Sequence, residues 1–134
     1  MYLLDTNICI YAMKNKFATL TEKILEVPPS GIFVSSVTVG ELAYGVAKSH
    51  WQDRSRKVMS LFLSAYTILP FDERDAEVFG GIRAMLYGQG MPIGPYDMQI
   101  AAQGIAKNLT VVTHNLKEFS RVPHIIVEDW TVAM

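Results

Sequence analysis

The feature that most constrains this chain is the rhythm of its apolar residues. Short runs of strand length recur between stretches of helical periodicity. Tyr2-Leu3-Leu4, Ile32-Phe33-Val34-Ser35, Ile68-Leu69-Pro70-Phe71 and Thr110-Val111-Val112-Thr113 read as strands, and Ile125-Ile126-Val127 reads as a fifth at an edge. Runs that are apolar at successive positions must be covered on both faces, and parallel neighbours need a helical crossover between them. The expectation is therefore a three-layer α/β/α fold around a central, mostly parallel sheet of four to five strands. At 134 residues the chain is long enough for one such core and too short for two, so residues 1–134 are read as a single domain.

The helical segments carry their own punctuation. Thr6 and Asn7 are expected to cap the helix after the first strand. A second helix, residues 18–27, should stop at Pro28-Pro29-Ser30-Gly31, and Thr38 should cap a third through Glu41, Leu42, Tyr44 and Val46. Residues 52–66 are charged on one face and apolar on the other, and Asp72 opens a helix reaching about Tyr87. Pro95 suits the first turn of a further helix, after the tight loop Gly88-Gln89-Gly90-Met91-Pro92-Ile93-Gly94.

Composition narrows the function classes. Half of the residues are hydrophobic, and the mean hydropathy is +0.20, which leaves apolar surface for a partner or a second copy of the chain. Tyr44, Phe62 and Tyr66 are expected on that shared face, which points to a homodimer, with cover by a partner protein alone as the alternative. No apolar run reaches membrane-spanning length, and Asp5 interrupts the place where a leader needs an apolar core. The expected location is the cytoplasm. Cys9, the single cysteine, excludes an internal disulfide and a cysteine metal cage, and its apolar neighbours point to a packed thiol. A net charge of -1 gives no overall attraction to nucleic acid, so RNA binding would rest on local cations such as Lys48, Arg54, Arg56 and Lys57.

Three acids stand in comparable places. Asp5 ends the first strand, Glu41 is expected in the first turn after the second, and Asp97 lies in the first turn after the glycine-containing loop. In an open parallel sheet these positions share the edge where ligands bind, and Asn115, just past the fourth strand, falls on it too. Clustered carboxylates suit hard cations such as Mg²⁺ or Mn²⁺, which activate water and offset charge on a phosphodiester. Each acid also has a plainer reading. Thr38 to Glu41 fits a capping box, Asp97 suits a helix N-terminus, and Asp5 could be a turn acid. Asp72-Glu73-Arg74-Asp75 is read as capping alone.

These residues resemble the PIN-domain nucleases, in particular the VapC-type toxins of bacterial type II toxin–antitoxin pairs. The resemblance runs through Leu4-Asp5-Thr6-Asn7-Ile8, then Ser35-Ser36-Val37-Thr38 with Glu41-Leu42, then Gly90-Met91-Pro92-Ile93-Gly94-Pro95-Tyr96-Asp97, then Val112-Thr113-His114-Asn115 with Glu118-Phe119, and ends on Glu128-Asp129-Trp130. It implies a metal-dependent endoribonuclease using Mg²⁺ or Mn²⁺, a homodimer, and a VapB-like antitoxin whose C-terminal segment occupies the active-site groove. Toxins of enteric bacteria, which this chain resembles, cut initiator tRNA in the anticodon loop. Carried over by position, Asp5 and Asp97 would bind metal directly, and Glu41 directly or through water. Thr6 and Thr113 would support them by hydrogen bonding. His114, beside Thr113, is read as a rim or phosphate-contacting residue rather than a catalytic one.

The chain departs from the family pattern at Asn115, where an aspartate is common. An amide adds no negative charge, and Glu118 in the following turn is the residue that could supply one. The competing reading is a degenerate PIN domain that binds RNA or protein without cutting. A haloacid-dehalogenase-like phosphotransferase would need an acid where Asn7 stands, and no phosphate-binding loop is present.

Overall fold

In the computed structural model, which describes residues 1–133, the elements in chain order are β1 (Tyr2–Leu4), α1 (Thr6–Met13), α2 (Ala18–Glu26), a 3-10 turn (Pro29–Gly31), β2 (Ile32–Ser35), α3 (Ser36–Ala47), α4 (Gln52–Ser64), β3 (Thr67–Leu69), α5 (Glu73–Gly88), α6 (Pro95–Ala106), β4 (Thr110–Val112), α7 (Leu116–Phe119) and β5 (Val127–Glu128). The strands form one sheet in the order β3-β2-β1-β4-β5. Every neighbouring pair is parallel.

The register explains the three layers. Leu3 lies beside Phe33 and Val111, and all three pack towards α5, α6 and Phe119 of α7. One residue on, Leu4 lies beside Val34 and Val112 and packs on the opposite face with α1, α2, α3 and Trp130. Leu3 and Leu4 are both fully buried. Burial of a leucine side chain is worth roughly 1.5–3 kcal/mol, so both faces of β1 hold the sheet between its helical layers. Helix α6 approaches β4 closely at Gly104, where a Cβ would sit 2.5 Å from Val111 Cγ2.

Several boundaries differ from the sequence expectation. Asp5 caps α1, its Oδ1 accepting the Ile8 N–H at 2.8 Å, so Thr6 and Asn7 are helical residues rather than caps. Ser35 likewise caps α3 in place of Thr38, accepting the Val37 N–H at 3.0 Å. Both strands pass into their helices without a loop, which makes the last extended residue the cap. The third strand is Thr67–Leu69 rather than residues 68–71. Pro70 has no N–H for the ladder, and the Phe71 N–H turns away to Ser36 Oγ. At the other edge, β5 falls at Val127–Glu128 rather than 125–127. Asp72 is the cap of α5, in a reciprocal capping box with Asp75.

Lys107 pairs with Asp72 and, at 3.4 Å, with the buried Asp75, tying the end of α6 to the start of α5. Gln103 adds bonds from Nε2 to the Leu69 and Pro70 carbonyls, both 3.0 Å. The expected shared face of Tyr44, Phe62 and Tyr66 is not one face. Phe62 and Tyr66 pack inward in the core around Leu4, while Tyr44 is 67 % exposed. Cys9 is a buried free thiol. No helix among the described residues is long and apolar enough to cross a membrane.

Candidate active site

Strand order reverses direction between β1 and β4, and the crevice at the carboxyl ends of those strands is where ligands bind in open parallel sheets. Asp5 stands at the end of β1, hydrogen-bonded through its own N–H to the Val112 carbonyl of β4. Thr113, fully buried, follows β4 immediately. Its Oγ1 accepts the Asn115 N–H at 3.0 Å, and its hydroxyl group stabilises the Asp5 carboxylate. Asp97 enters from α6, as the third residue of the helix, after Gly94 and Pro95 have set its first turn.

Glu41 comes from α3. It lies one turn further into the helix than the sequence suggested, because α3 starts at Ser36. The Thr6 hydroxyl donates to Glu41 Oε1 at 2.7 Å and lies 2.9 Å from Thr38 Oγ1. A capping box between Thr38 and Glu41 is thereby excluded. Glu41 is held by α1 across the site, and Thr38 belongs to the same buried chain of hydroxyls.

The electrostatics show that these acids share one space. The Asp5 carboxyl is pushed up to about 6, first by burial, with smaller pushes from the charges of Glu41 and Asp129 and opposing help from Thr113 and the Ile8 N–H. Asp97 is also raised to about 6, by burial first and then by the charges of Asp5, Glu41 and Glu118. Like charges gathered in a poorly solvated crevice disfavour one another's ionised forms.

Asn115 has a definite job in this arrangement. It caps α7, and its Nδ2 donates to Glu118 Oε2 at 2.7 Å. The amide therefore fixes the carboxylate of Glu118, whose charge is felt by Asp97. Among the described residues, no three of His, Cys, Asp and Glu form a ready-made ion cage. The donor set still suits a hard cation, because Mg²⁺ keeps several waters and takes only one or two carboxylates directly.

The cations expected to meet RNA fall into two groups. Lys48 and Arg54 border a groove between α1, α3 and α4 that begins at Glu41 and runs over Leu42 and Met59 to Trp51. Trp51 is 74 % exposed. Arg56 and Lys57 line a separate depression with Asp53 and Leu61, which none of Asp5, Glu41 and Asp97 borders. His114, next to Thr113, is half-exposed, with Nδ1 2.9 Å from Asp129 Oδ2. The sequence pattern points to neither Thr38 nor Asp129 as a site residue. Its position suits the first to a helix cap, and the second stands only within the closing Glu128-Asp129-Trp130.

The PIN domain model matches residues 2–125. The tRNA(fMet)-specific endonuclease VapC of Salmonella typhimurium is 42 % identical over 129 residues, covering 96 % of this chain and 97 % of the relative. Ribonuclease VapC2 of Rickettsia felis is 39 % identical over 132 residues, covering 97 % and 98 %. The crystal structure of VapBC2 from Rickettsia felis, bound to a DNA fragment from the promoter, superposes with a TM-score of 0.91 at 36 % identity, covering 96 % of this chain and 98 % of that one. With a family match across nearly its whole length and its acids gathered at the switch point of the sheet, the chain belongs to the PIN-domain family, among the VapC ribonucleases.

Proposed function

We propose that this chain is the toxin of a bacterial type II toxin–antitoxin pair, a single PIN domain that cuts RNA with a divalent metal ion, with the anticodon loop of initiator tRNA as its target. The observation that carries the reading is the gathering of carboxylates at the carboxyl end of the sheet, where Asp97 feels the charges of Asp5, Glu41 and Glu118, and Asp5 feels that of Glu41. Assembling acids that repel one another is costly unless a cation offsets them. The tRNA target rests on the relative named for tRNA(fMet).

Asp5 and Asp97 are the residues to hold Mg²⁺ or Mn²⁺, with Glu41 directly or through water. When bound, such an ion lowers the pKa of a coordinated water and neutralises charge on the phosphate. The chain's own residues set the geometry. The Ile8 N–H and Thr113 orient Asp5, Thr6 orients Glu41, and Asn115 orients Glu118. Asn115 acts through that carboxylate rather than as a charge of its own. Lys48 and Arg54 flank the approach from the groove and would take backbone phosphates.

The toxin works in the cytoplasm as a homodimer with a VapB-like antitoxin. Related solved structures are VapBC assemblies. The groove from Glu41 to Trp51 is apolar along its floor and basic at its rim, which suits an amphipathic segment carrying acidic groups. Sequencing RNA ends after brief expression of the chain tests the reading. A single new end in the anticodon loop of initiator tRNA is expected. Ends scattered over many RNAs would overturn the target, and no new ends would favour the degenerate, binding-only alternative.

A further inference from the structure

His114 is built into a network that the carboxylate chemistry does not use. Its Nδ1 lies 2.9 Å from Asp129 Oδ2 and 2.8 Å from Thr131 Oγ1. Asp129 Oδ1 in turn accepts the Thr131 N–H at 2.9 Å and the Thr131 hydroxyl at 2.6 Å. That leaves the threonine oxygen as an acceptor towards the ring. Both partners of Nδ1 are therefore acceptors, and Nδ1 carries the proton. The ring is packed 5.5 Å from Phe17 and 6.2 Å from Tyr11, centroid to centroid. Against the same two rings lies the Lys16 ammonium, 4.7 Å from the Tyr11 centroid and 5.6 Å from that of Phe17. The His114 side chain is 45 % exposed, and no described residue bonds to Nε2.

The half-exposed ring stands one residue from Thr113, and the charge of its partner Asp129 reaches Asp5, which puts the network beside the carboxylates. With Nδ1 bonded to acceptors on both sides, Nε2 is the ring nitrogen left for an incoming strand. A hydroxyl, being both donor and acceptor, is a partner that such a nitrogen can bond in either sense. We propose that His114 Nε2 hydrogen-bonds the ribose 2′-hydroxyl of the nucleotide beside the scissile phosphate, so that His114, Asp129 and Thr131 together distinguish RNA from DNA. The 2′-hydroxyl is the group by which proteins make that distinction. Lys16 takes a phosphate of the same strand. Asp129 and Thr131 are positioning residues that act through the ring. The inference rests on the ribonuclease reading above and deepens it.

The test uses the anticodon stem–loop of an initiator tRNA as probe, all-ribose or with one 2′-deoxy nucleotide moved through the loop. Wild type should show one position at which the deoxy sugar lowers kcat/KM about three- to tenfold, the worth of one neutral hydrogen bond. His114→Ala should lose the same factor on the all-ribose probe and become indifferent to the sugar at that position. Asp129→Asn should lose part of it, and the double variant should be no worse than His114→Ala alone, as expected of residues in one unit. If the alanine variant does not fold, His114→Gln carries the same comparison. An undiminished deoxy penalty in the histidine variant overturns the proposal. So does an equal loss on ribose and deoxyribose probes, which would mark a phosphate contact. Affinities of the same probes for Asp97→Asn protein, with and without His114→Ala, give a reading independent of cleavage. Absence of cleavage by wild type would refute the ribonuclease function, while persistence of the sugar preference in the doubly substituted protein would refute this role of His114.

Discussion

Replacing Asp5 with Asn should stabilise the metal-free protein above neutral pH and leave its stability near pH 4 almost unchanged. Asp5 is 3 % exposed, and its carboxyl is pushed from the ordinary 3.8 to about 6, chiefly by burial. A folded-state pKa above the unfolded one means that folding favours the protonated acid. Its contribution is fully present below pH 3.8 and is lost as pH rises through about 6. The shift corresponds to about 3 kcal/mol by pH 8. Asparagine removes the charge but keeps an oxygen to accept the Ile8 N–H, so the cap of α1 should survive. The gain at pH 8 should be up to about 3 kcal/mol, or on the order of 10 °C in Tm for a domain of this size. Urea unfolding in EDTA at pH 4 and pH 8 measures it. Saturating Mg²⁺ should then reverse the order, because only wild type gains from binding. An Asn variant less stable than wild type at pH 8, or a difference independent of pH, would refute the reasoning.

Asn115→Asp should replace the amide that donates to Glu118 with a repelling carboxylate, costing the metal-free protein about 1–2 kcal/mol in unfolding experiments and lowering the Mg²⁺ concentration for half-maximal cleavage. Unchanged values of both would remove Asn115 from the site. Thr6→Val keeps the shape of the buried side chain but frees Glu41 and leaves the Thr38 hydroxyl unpaired. Stability should fall by about 1–2 kcal/mol and kcat by roughly tenfold, with circular dichroism unchanged. Gly104→Ala should cost about 1–3 kcal/mol despite alanine's better helix propensity, because the new methyl would meet Val111 at 2.5 Å. A neutral or stabilising result in thermal melts would show that α6 can move away from β4.

The layers of the fold were legible because local and global signals agree. Leu3 and Leu4 are adjacent apolar residues, and a parallel strand buries both faces. Asp5, Glu41 and Asp97 were legible as a group because strand ends and helix starts share one edge of such a sheet. Caps were harder to read. Asp5, Thr6 and Asn7 can all cap, and the choice depends on where β1 releases the chain. The face of Phe62 and Tyr66 was misjudged because α4 presents apolar residues both inward and outward, with Leu61 exposed beside the half-buried Phe62. Asp129 was invisible as a neighbour of Asp5. Their proximity comes from β5 joining the edge of the sheet, a long-range event without a local pattern. The same holds for Thr38, whose value lies in a bond to Thr6 across two helices.

The central claim is that Asp5, Glu41 and Asp97 form one metal-dependent centre that cuts RNA. It is tested most directly by the cleavage rate of initiator tRNA with wild type and Asp97→Asn, both stripped with EDTA and then titrated with Mg²⁺ or Mn²⁺. The account predicts no cleavage by either stripped protein, saturable recovery by wild type, and a loss of at least about a hundredfold in Asp97→Asn, which still melts cooperatively and, in EDTA above neutral pH, no lower than wild type. Equal cleavage by the two proteins, or cleavage by wild type that survives EDTA, would contradict it.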